Sequence, residues 1–344
     1  MALQVAGKKL KKNDFEWLKP GHYSLEDESE SEADMILTKD MINDSNRFLA
    51  VEGVDCTGKG SITQLIEKKG LGIDGVKVKR VDFPQYDLPS GAMIKAYLNG
   101  QYGNYARFLS SVPGENAVDW HAIAMGRSER LLKDIRFVMN LYAMNRIEYF
   151  RTAELEPDTV YVFDRFSYSN IIHHISALYA FYDYGAGNEL MQIHWRSNPI
   201  CKEISFSEYK DHRFWNMLSS ECERIYEYEK YNDVPLPYTF LLLLDEHHIL
   251  ERLEKRKETK HEGEDILERR DAIHRACEFL APRNSEFHSD NGVVLMPVAA
   301  FGYDNDNIAD SIIELYKTAV FNEIQPSCFA EYFEDEDDEE DDEE

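Results

Sequence analysis

The 344-residue chain has little cysteine and no long apolar run. Its cysteines are scattered and form no CxxC pair, which argues against a disulfide framework or a zinc ribbon and favours a reducing compartment. The longest apolar run, Phe240 to Leu244, is far shorter than the ~20 residues that a bilayer span needs. The N-terminus lacks the apolar segment and cleavage site of a secretory signal. We therefore expect a cytoplasmic protein without a membrane partner, in the host cytoplasm if the source is viral.

Positive charge is scarce as well. The chain has 38 Lys and Arg against 65 Asp and Glu, a formal net charge of -27. Because phosphate backbones select basic surfaces, nucleic acid is not an expected partner. Positions 334–344 are all acidic, and such a run repels itself, so residues 329–344 are predicted to form a disordered acidic tail. Two roles for this tail stay open: docking to a basic partner, or solubility alone.

Short apolar runs alternate with longer amphipathic segments along the chain. Strands are predicted at 47–52, 76–83, 159–164, 238–245 and 292–296, and helices at 61–69, 91–98, 130–149, 206–230, 248–260, 272–287 and 307–321. This alternation predicts a doubly wound α/β fold, with a parallel sheet covered by helices on both faces. The predicted organisation is a charged extension at 1–45, then one folded domain at 46–325. Irregular insertions are expected near 101–126 and 182–208.

A phosphate-loop pattern, G-x-x-x-x-G-K, follows the first of these strands and opens the first helix. It consists of Gly53, Val54, Asp55, Cys56, Thr57, Gly58 and Lys59. In such loops the glycines let backbone N–H groups converge on phosphate oxygens, and the lysine reaches the β and γ phosphates. The next position usually carries a hydroxyl that contacts magnesium, but here it is Gly60, and the hydroxyl comes at Ser61. The pattern predicts an ATP site with an altered magnesium contact.

Further motifs follow in a recognisable order. They are Glu52-Gly53-Val54-Asp55, Phe83-Pro84-Gln85-Tyr86, Gly91…Ile94…Tyr97-Leu98-Asn99-Gly100, Leu141-Tyr142-Ala143-Met144-Asn145-Arg146, Asp164-Arg165-Phe166 with Ser169-Asn170, and Tyr226-Glu227-Tyr228-Glu229 before Pro235. Together they resemble the thymidylate kinase family over roughly 47–315, apart from the insertions. The resemblance implies the P-loop nucleotide kinase fold and phosphorylation of dTMP to dTDP, with ATP as donor and Mg²⁺ as cofactor.

The resemblance also implies roles for individual residues. Lys59, Arg165 and Asp55 would be catalytic, because phosphoryl transfer depends on positioning and on charge neutralisation. Magnesium would be held by Asp55, Asp164 and Glu268. Lid residues Arg252 and Arg256, spaced to share one helix face, would close over the donor phosphates.

The acceptor nucleotide is expected on a second set of side chains. Besides Asp55 and Arg165, this set contains Phe83, Tyr86, Tyr142, Arg146, Asn170 and His173. Tyr142 would stack on the pyrimidine, Arg146 and Asn170 would bond the base, and Arg165 would contact the acceptor phosphate. His173 stands where the family usually has an aromatic residue that guards the sugar, which weakens the expected preference for deoxyribose.

Three functional alternatives remain. The resemblance favours a dTMP kinase, and a homodimer is expected with it. A broader deoxynucleoside monophosphate kinase or a deoxynucleoside kinase would differ in the acceptor pocket. A weakly catalytic P-loop scaffold is supported only by Gly60.

Overall fold

The computed structural model describes residues 4–5, 8–9, 37–53, 57–99, 120–183, 185–197, 204–243, 296–299 and 304–323. The strands are β1 (Gln4–Val5), β2 (Lys8–Lys9), β3 (Phe48–Gly53), β4 (Lys77–Asp82), β5 (Thr159–Asp164), β6 (Tyr238–Leu243) and β7 (Met296–Ala299). The α-helices are α1 (Lys59–Lys69), α2 (Pro89–Leu98), α3 (Trp120–Thr152), α4 (Ser167–Asp183), α5 (Gly185–Ser197), α6 (Phe206–Tyr231) and α7 (Asn305–Phe321). A short 3₁₀ helix spans Lys39–Met41.

Five of these strands form one parallel sheet in the order β4-β5-β3-β6-β7. The chain leaves central strand β3 towards edge strand β4, returns to β5, and then crosses to β6 on the other side of β3. In open parallel sheets, ligands bind beyond the carboxyl ends of the strands where the strand order reverses in this way. The fold therefore places its crevice at the end of β3.

Central strand β3 is buried at all six positions and separates two apolar layers. Leu49 and Val51 belong to a cluster that includes Ile62 and Ile66 of α1 and Ile308 and Ile312 of α7. On the opposite face, Phe48 and Ala50 pack in a second cluster with Ile147 of α3. Successive strand residues point to opposite faces, so helices cover the sheet on both sides. The predicted α/β class and its parallel sheet are confirmed, and the arrangement is compatible with a doubly wound fold.

A glycine at the end of α1 and a capping box at the start of α6 explain why these helices end and begin where they do. Gly70 ends α1 with φ of 69°, and its N–H donates to the carbonyl of Ile66 at 2.9 Å. Helix α6 starts with a capping box, in which Ser205 and Glu208 each bond the other's backbone N–H. The predicted helices near residues 61–69, 91–98, 206–230 and 307–321 are all present, within a few residues of the expected bounds.

The expected irregular insertions are wrong where the structure describes them. Helix α3 begins at Trp120, inside the predicted insertion at 101–126, and α5 spans 13 residues of the one at 182–208. Leu190 and Met191 are buried, and Trp195 packs on the ring of Phe206, so α5 does have an apolar face. The sequence does not show this amphipathic pattern clearly, because Ile193 is an apolar residue on the solvent-exposed side of α5.

The packed region starts earlier than the predicted boundary near residue 46. Leu37 is buried in the β3–α1–α7 cluster, and the hydroxyl of Tyr316 donates to the carbonyl of Asn46 at 2.7 Å. The last strand is Met296–Ala299, which overlaps the predicted strand 292–296 at one residue. Predicted helices 248–260 and 272–287 and the acidic tail lie outside the described residues. No helix within the described ranges has both the length and the apolar character of a bilayer-spanning segment.

Candidate functional site

The predicted phosphate loop lies between the carboxyl end of β3 and the start of α1. Gly53 has φ of 137°, and a Cβ there would lie 2.8 Å from the carbonyl oxygen of Leu242 on neighbouring β6. Gly58, the N-cap of α1, has φ of 98°. Glycine adopts such positive φ values far more readily than any residue with a side chain. Both glycines of the pattern are thus required by backbone geometry. Val54, Asp55 and Cys56 lie outside the described residues.

Lys59 is the first residue of α1 and is 5% exposed. Its Nζ donates to the carbonyl oxygen of Gly53 at 2.9 Å, so the amine bends back to the strand end at which the loop begins. Thr57 is fully buried beside it, and Ser61 is exposed on the first turn of α1. The helix N-terminus contributes partial positive charge at the same place. A buried cation and a helix N-terminus therefore meet at the crevice, a combination that suits an anionic ligand.

Arg165 follows β5 directly and has a left-handed backbone, with φ of 69°. Its N–H donates to the carbonyl oxygen of Val51 at 3.1 Å, which ties this turn to β3. A positive φ in a bulky residue costs on the order of 1 kcal/mol and is found mostly where function or packing requires it. The sheet register sets Val51 opposite Asp164, so Arg165 lies near the same edge of the sheet as the phosphate loop.

Two carboxylates and one guanidinium lie on the neighbouring strands. Asp82 of β4 is the register partner of Asp164, and Nη2 of Arg80 is 2.5 Å from an oxygen of Asp82 and 3.0 Å from Oδ2 of Asp164. Burial raises the pKa of Asp82, the nearby cation of Arg80 opposes this rise, and the negative charges of Asp164 and Glu67 add to it.

These carboxylates are the described residues that fit a magnesium ion best. Magnesium in nucleotide sites is usually held by one or two carboxylates together with substrate phosphates. Asp164 meets this requirement, because it is 15% exposed and lies next to the first turn of α1. Among the described residues, no group of three or more His, Cys, Asp or Glu side chains could hold a metal by itself. The other two expected ligands, Asp55 and Glu268, lie outside the described residues.

Glu52 is a functional candidate for which the sequence motifs gave no role. It is fully buried in β3, one residue before the phosphate loop. Its carboxylate accepts the N–H groups of Phe166 and Tyr168 at 2.9 Å and of Ser169 at 3.1 Å, and also the Ser169 hydroxyl. Glu52 therefore caps the N-terminus of α4 and fixes the turn after Arg165. A buried acid in a strand is the only sequence signal that could have indicated this role.

Arg146 is 1% exposed and makes contacts other than the expected bond to a nucleotide base. Its Nε donates to Glu229 at 2.6 Å, Nη2 forms an ion pair with the same carboxylate, and Nη1 donates to the carbonyl oxygen of Phe166 at 3.1 Å. The second oxygen of Glu229 accepts the hydroxyl proton of Ser167 at 2.6 Å. All three guanidinium nitrogens thus have protein partners. Glu229 belongs to one of the quoted motifs, but the sequence did not indicate that it pairs with Arg146.

Tyr142, the residue expected to stack on the base, lies on α3 and is buried against α2 and α4. Its ring centroid is 5.6 Å from that of His174, and Tyr97 of α2 is 6.1 Å from the same imidazole. Asn170, one turn before His174, donates its amide to the carbonyl oxygen of Phe166 at 2.8 Å. His173 is partly exposed on the same helix. Three of the predicted acceptor residues, Tyr142, Asn170 and His173, therefore lie on the packed helices α3 and α4.

The loop after β4 is fixed from α3. The side chain of Asn145 accepts the Gln85 N–H at 2.7 Å and donates to the Gln85 carbonyl oxygen at 2.9 Å. Phe83 is buried in the core, 5.6 Å from the ring of Phe166, and its peptide bond to Pro84 is cis. Tyr86 is exposed on the loop. Of the two expected acceptor contacts here, Tyr86 is accessible and Phe83 is a core residue.

The predicted lid lies outside the described residues, as do Arg252 and Arg256. The described site therefore consists of Gly53, Thr57, Gly58, Lys59, Gly60 and Ser61 around the loop, Arg80, Asp82, Asp164 and Arg165 beside it, and Glu52 behind it. In comparisons with known proteins, the chain matches no protein-family model and no curated protein sequence.

Proposed function

We propose that the chain is an ATP- and magnesium-dependent nucleoside monophosphate kinase with the P-loop nucleotide kinase fold, and that it phosphorylates dTMP to dTDP. The observation that carries the proposal is Lys59. Its ammonium group is buried at the first turn of a helix and bonds the carbonyl of Gly53, where the loop begins. A phosphate group placed there would accept hydrogen bonds from this ammonium and interact favourably with the helix N-terminus.

The neighbouring groups suit phosphoryl transfer. This reaction needs little covalent chemistry from the protein and depends on holding donor and acceptor in line while neutralising charge. In our proposal Lys59 and the α1 N-terminus hold the donor phosphates. Arg165, at the end of β5, contacts the phosphate group in transit. Magnesium, when bound with ATP beside Asp164, supplies further charge neutralisation.

The acceptor assignment rests on the order of the motifs and on Tyr142, Asn170 and His173. One observation favours the broader monophosphate kinase as second candidate. Arg146, the residue expected to bond the thymine carbonyl, is held inside the protein by Glu229 and by the carbonyl of Phe166. A site that reads the base with fewer hydrogen bonds discriminates less between bases, because fewer polar groups are left unpaired by the wrong one.

The donor site is tested by replacing its lysine. Lys59→Ala should lower kcat/KM with ATP, Mg²⁺ and dTMP by on the order of 10²-fold, the usual effect of removing one group that stabilises transition-state charge. Lys68→Ala is the matched control, because Lys68 is exposed on the same helix. If Lys59→Ala keeps full transfer activity, Lys59 is not part of the site.

The acceptor is tested with a panel of substrates at fixed ATP and Mg²⁺. We expect faster turnover of dTMP than of dCMP, dGMP or thymidine. Equal rates for the three monophosphates would replace the dTMP assignment with the broader kinase. Little or no turnover of any of the four would instead favour the weakly catalytic P-loop scaffold.

A further inference from the structure

Gly60 follows the phosphate-loop lysine, and a side chain there would crowd Asp164. A Cβ built on it would lie 3.0 Å from Oδ2 of Asp164 and 3.7 Å from Nη2 of Arg80. Phosphate loops usually place a serine or threonine hydroxyl here, for the magnesium ion. In this chain, a carboxylate and a guanidinium from the neighbouring strands approach that position instead.

Arg80 is held in place by contacts with two carboxylates and with α1. Its Nη2 lies within ion-pair distance of Asp82 and Asp164, and its Nε donates to the hydroxyl of Thr63 at 2.9 Å. The Thr63 hydroxyl in turn donates to the carbonyl oxygen of Lys59 at 3.0 Å. Arg80 is thus connected to the same first turn of α1 that carries the buried lysine. Among the described residues, its Nη1 has no hydrogen-bond partner.

The charges at this edge explain why a fixed cation is needed. Asp82 and Asp164 are register partners on adjacent parallel strands, so their carboxylates lie on the side where a polyphosphate would bind. These two carboxylates would repel a polyphosphate, unless a metal ion or a protein cation lies between the carboxylates and the phosphate groups. Arg80 contacts both carboxylates, and its five N–H donors form a fork that suits carboxylate and phosphate oxygens alike.

We propose that Arg80 is a positioning residue that serves as a built-in counter-ion, so that the site binds a nucleoside polyphosphate before any Mg²⁺ is bound. The inference rests on the proposed function and deepens it, because it explains how the loop works with glycine at position 60. Arg80 holds Asp164 beside Gly60, the position at which phosphate loops usually carry a hydroxyl.

The test compares ADP affinity, measured by isothermal titration calorimetry, in excess EDTA and in excess MgCl₂. For the unchanged protein, the two dissociation constants should agree within about threefold. For Arg80→Gln, the ratio of the EDTA value to the Mg²⁺ value should rise about tenfold or more, since one charge-assisted hydrogen bond is lost and only Mg²⁺ can replace the missing positive charge. Phosphoryl-transfer activity is not needed for this readout.

Two further variants distinguish the effect of the Arg80 charge from an effect on protein stability. Lys79→Gln removes one positive charge from the same strand, but Lys79 pairs with Glu156, so its ratio should stay unchanged. Arg80→Lys keeps the charge and loses the fork, and should give an intermediate ratio with little change in thermal stability. If Arg80→Gln does not fold, Arg80→Lys decides, and an unchanged ratio in it overturns the proposal.

The failures are distinguishable. If the unchanged protein binds ADP only with Mg²⁺, the counter-ion inference is wrong while the proposed kinase function stands. If Arg80→Gln leaves the ratio of the two ADP dissociation constants unchanged, the counter-ion inference is likewise wrong and the proposed kinase function stands. If the unchanged protein binds ADP under neither condition, both the inference and the proposed function are overturned.

Discussion

Glu52 connects the phosphate loop to the turn that carries Arg165. Three backbone N–H groups and one hydroxyl converge on its carboxylate, and the residue after it is Gly53. Any displacement of the α4 N-terminus would therefore move Arg165 relative to the loop. Since phosphoryl transfer depends on the relative placement of donor and acceptor groups, Glu52 should influence catalysis without touching substrate.

Glu52→Gln should destabilise the protein by about 1–3 kcal/mol. The amide nitrogen of glutamine cannot accept the two hydrogen bonds from Ser169, so buried donors lose their acceptor. Urea unfolding measures the change, with Glu154→Gln as an exposed control. A loss no larger than that of the control would mean that the carboxylate is not needed in the folded protein.

The same variant tests the protonation state of Glu52. Burial raises the pKa of Glu52, although bonds from Ser169 and the charges of Arg146 and Lys59 oppose the rise. With the folded pKa above the unfolded value of 4.5, the contribution of Glu52 is fully present below that value and is lost as pH rises through the folded pKa. The stability gap between Glu52→Gln and the unchanged protein should therefore narrow as pH rises above 4.5 and through the folded pKa. A gap that widens would show a lowered pKa.

The sequence predicts residues whose role depends on local geometry, and misses those whose role depends on a distant partner. Gly53, Gly58 and Lys59 are predictable because one turn of chain sets their roles. Arg146 is different: its partner Glu229 is 83 positions away. A helical arginine in a motif gives no indication that another helix supplies a carboxylate to it.

At the scale of elements, α2 and the loop after β4 pack with their backbones in contact. A Cβ on Gly91 would lie 2.2 Å from the carbonyl oxygen of Gln85 and 2.6 Å from Cα of Tyr86. Asn145 and Glu148 of α3 fix the two partners, through Gln85 and through the N–H of Ser90. This contact sets the position of Tyr86 at the expected acceptor site.

Gly91→Ala should therefore displace the loop. We expect a loss of about 1–3 kcal/mol in stability from overpacking, and a higher KM for dTMP, with the KM for ATP nearly unchanged. Gly70→Ala is the control, since Gly70 has a positive φ but open space around it, and should cost about 1 kcal/mol with no effect on either KM. An unchanged KM for dTMP in Gly91→Ala would show that the loop does not contribute to the acceptor site.

Element prediction failed where tertiary packing outweighed a local signal. The predicted insertion at 101–126 ends at Gly126, yet this glycine lies inside α3. A glycine costs a helix only about 1 kcal/mol relative to alanine, which packing along a long helix easily offsets. In α5, the contacts of Met191 and Trp195 come from α6 and the segment before it, so their burial could not be inferred from local periodicity.

At the scale of the whole molecule, the proposed function requires a polyanion to bind to a chain of net charge -27. The surrounding field opposes nucleotide entry, so the local cations Lys59, Arg80 and Arg165 must outweigh it at short range. The homodimer and the role of the acidic tail stay predictions.

The boundary of the folded unit is also a property of the whole molecule. Leu37, Met41 and Ile42 pack against the cluster that includes β3, α1 and α7, while β1 and β2 pair with each other and not with the five-stranded sheet. Residues 37–46 therefore contribute directly to the described core.

Deleting residues 1–36 should leave the urea unfolding midpoint nearly unchanged. Deleting residues 1–46 should lower stability by about 2–5 kcal/mol, because it exposes the surface that Leu37 covers and removes the carbonyl of Asn46 that accepts from Tyr316. Leu37→Ala in the full chain should account for about half of that loss, which separates apolar burial from the other contacts. If the shorter deletion destabilises the protein as much as the longer one, the folded unit extends N-terminal to Leu37, and the predicted extension is part of it.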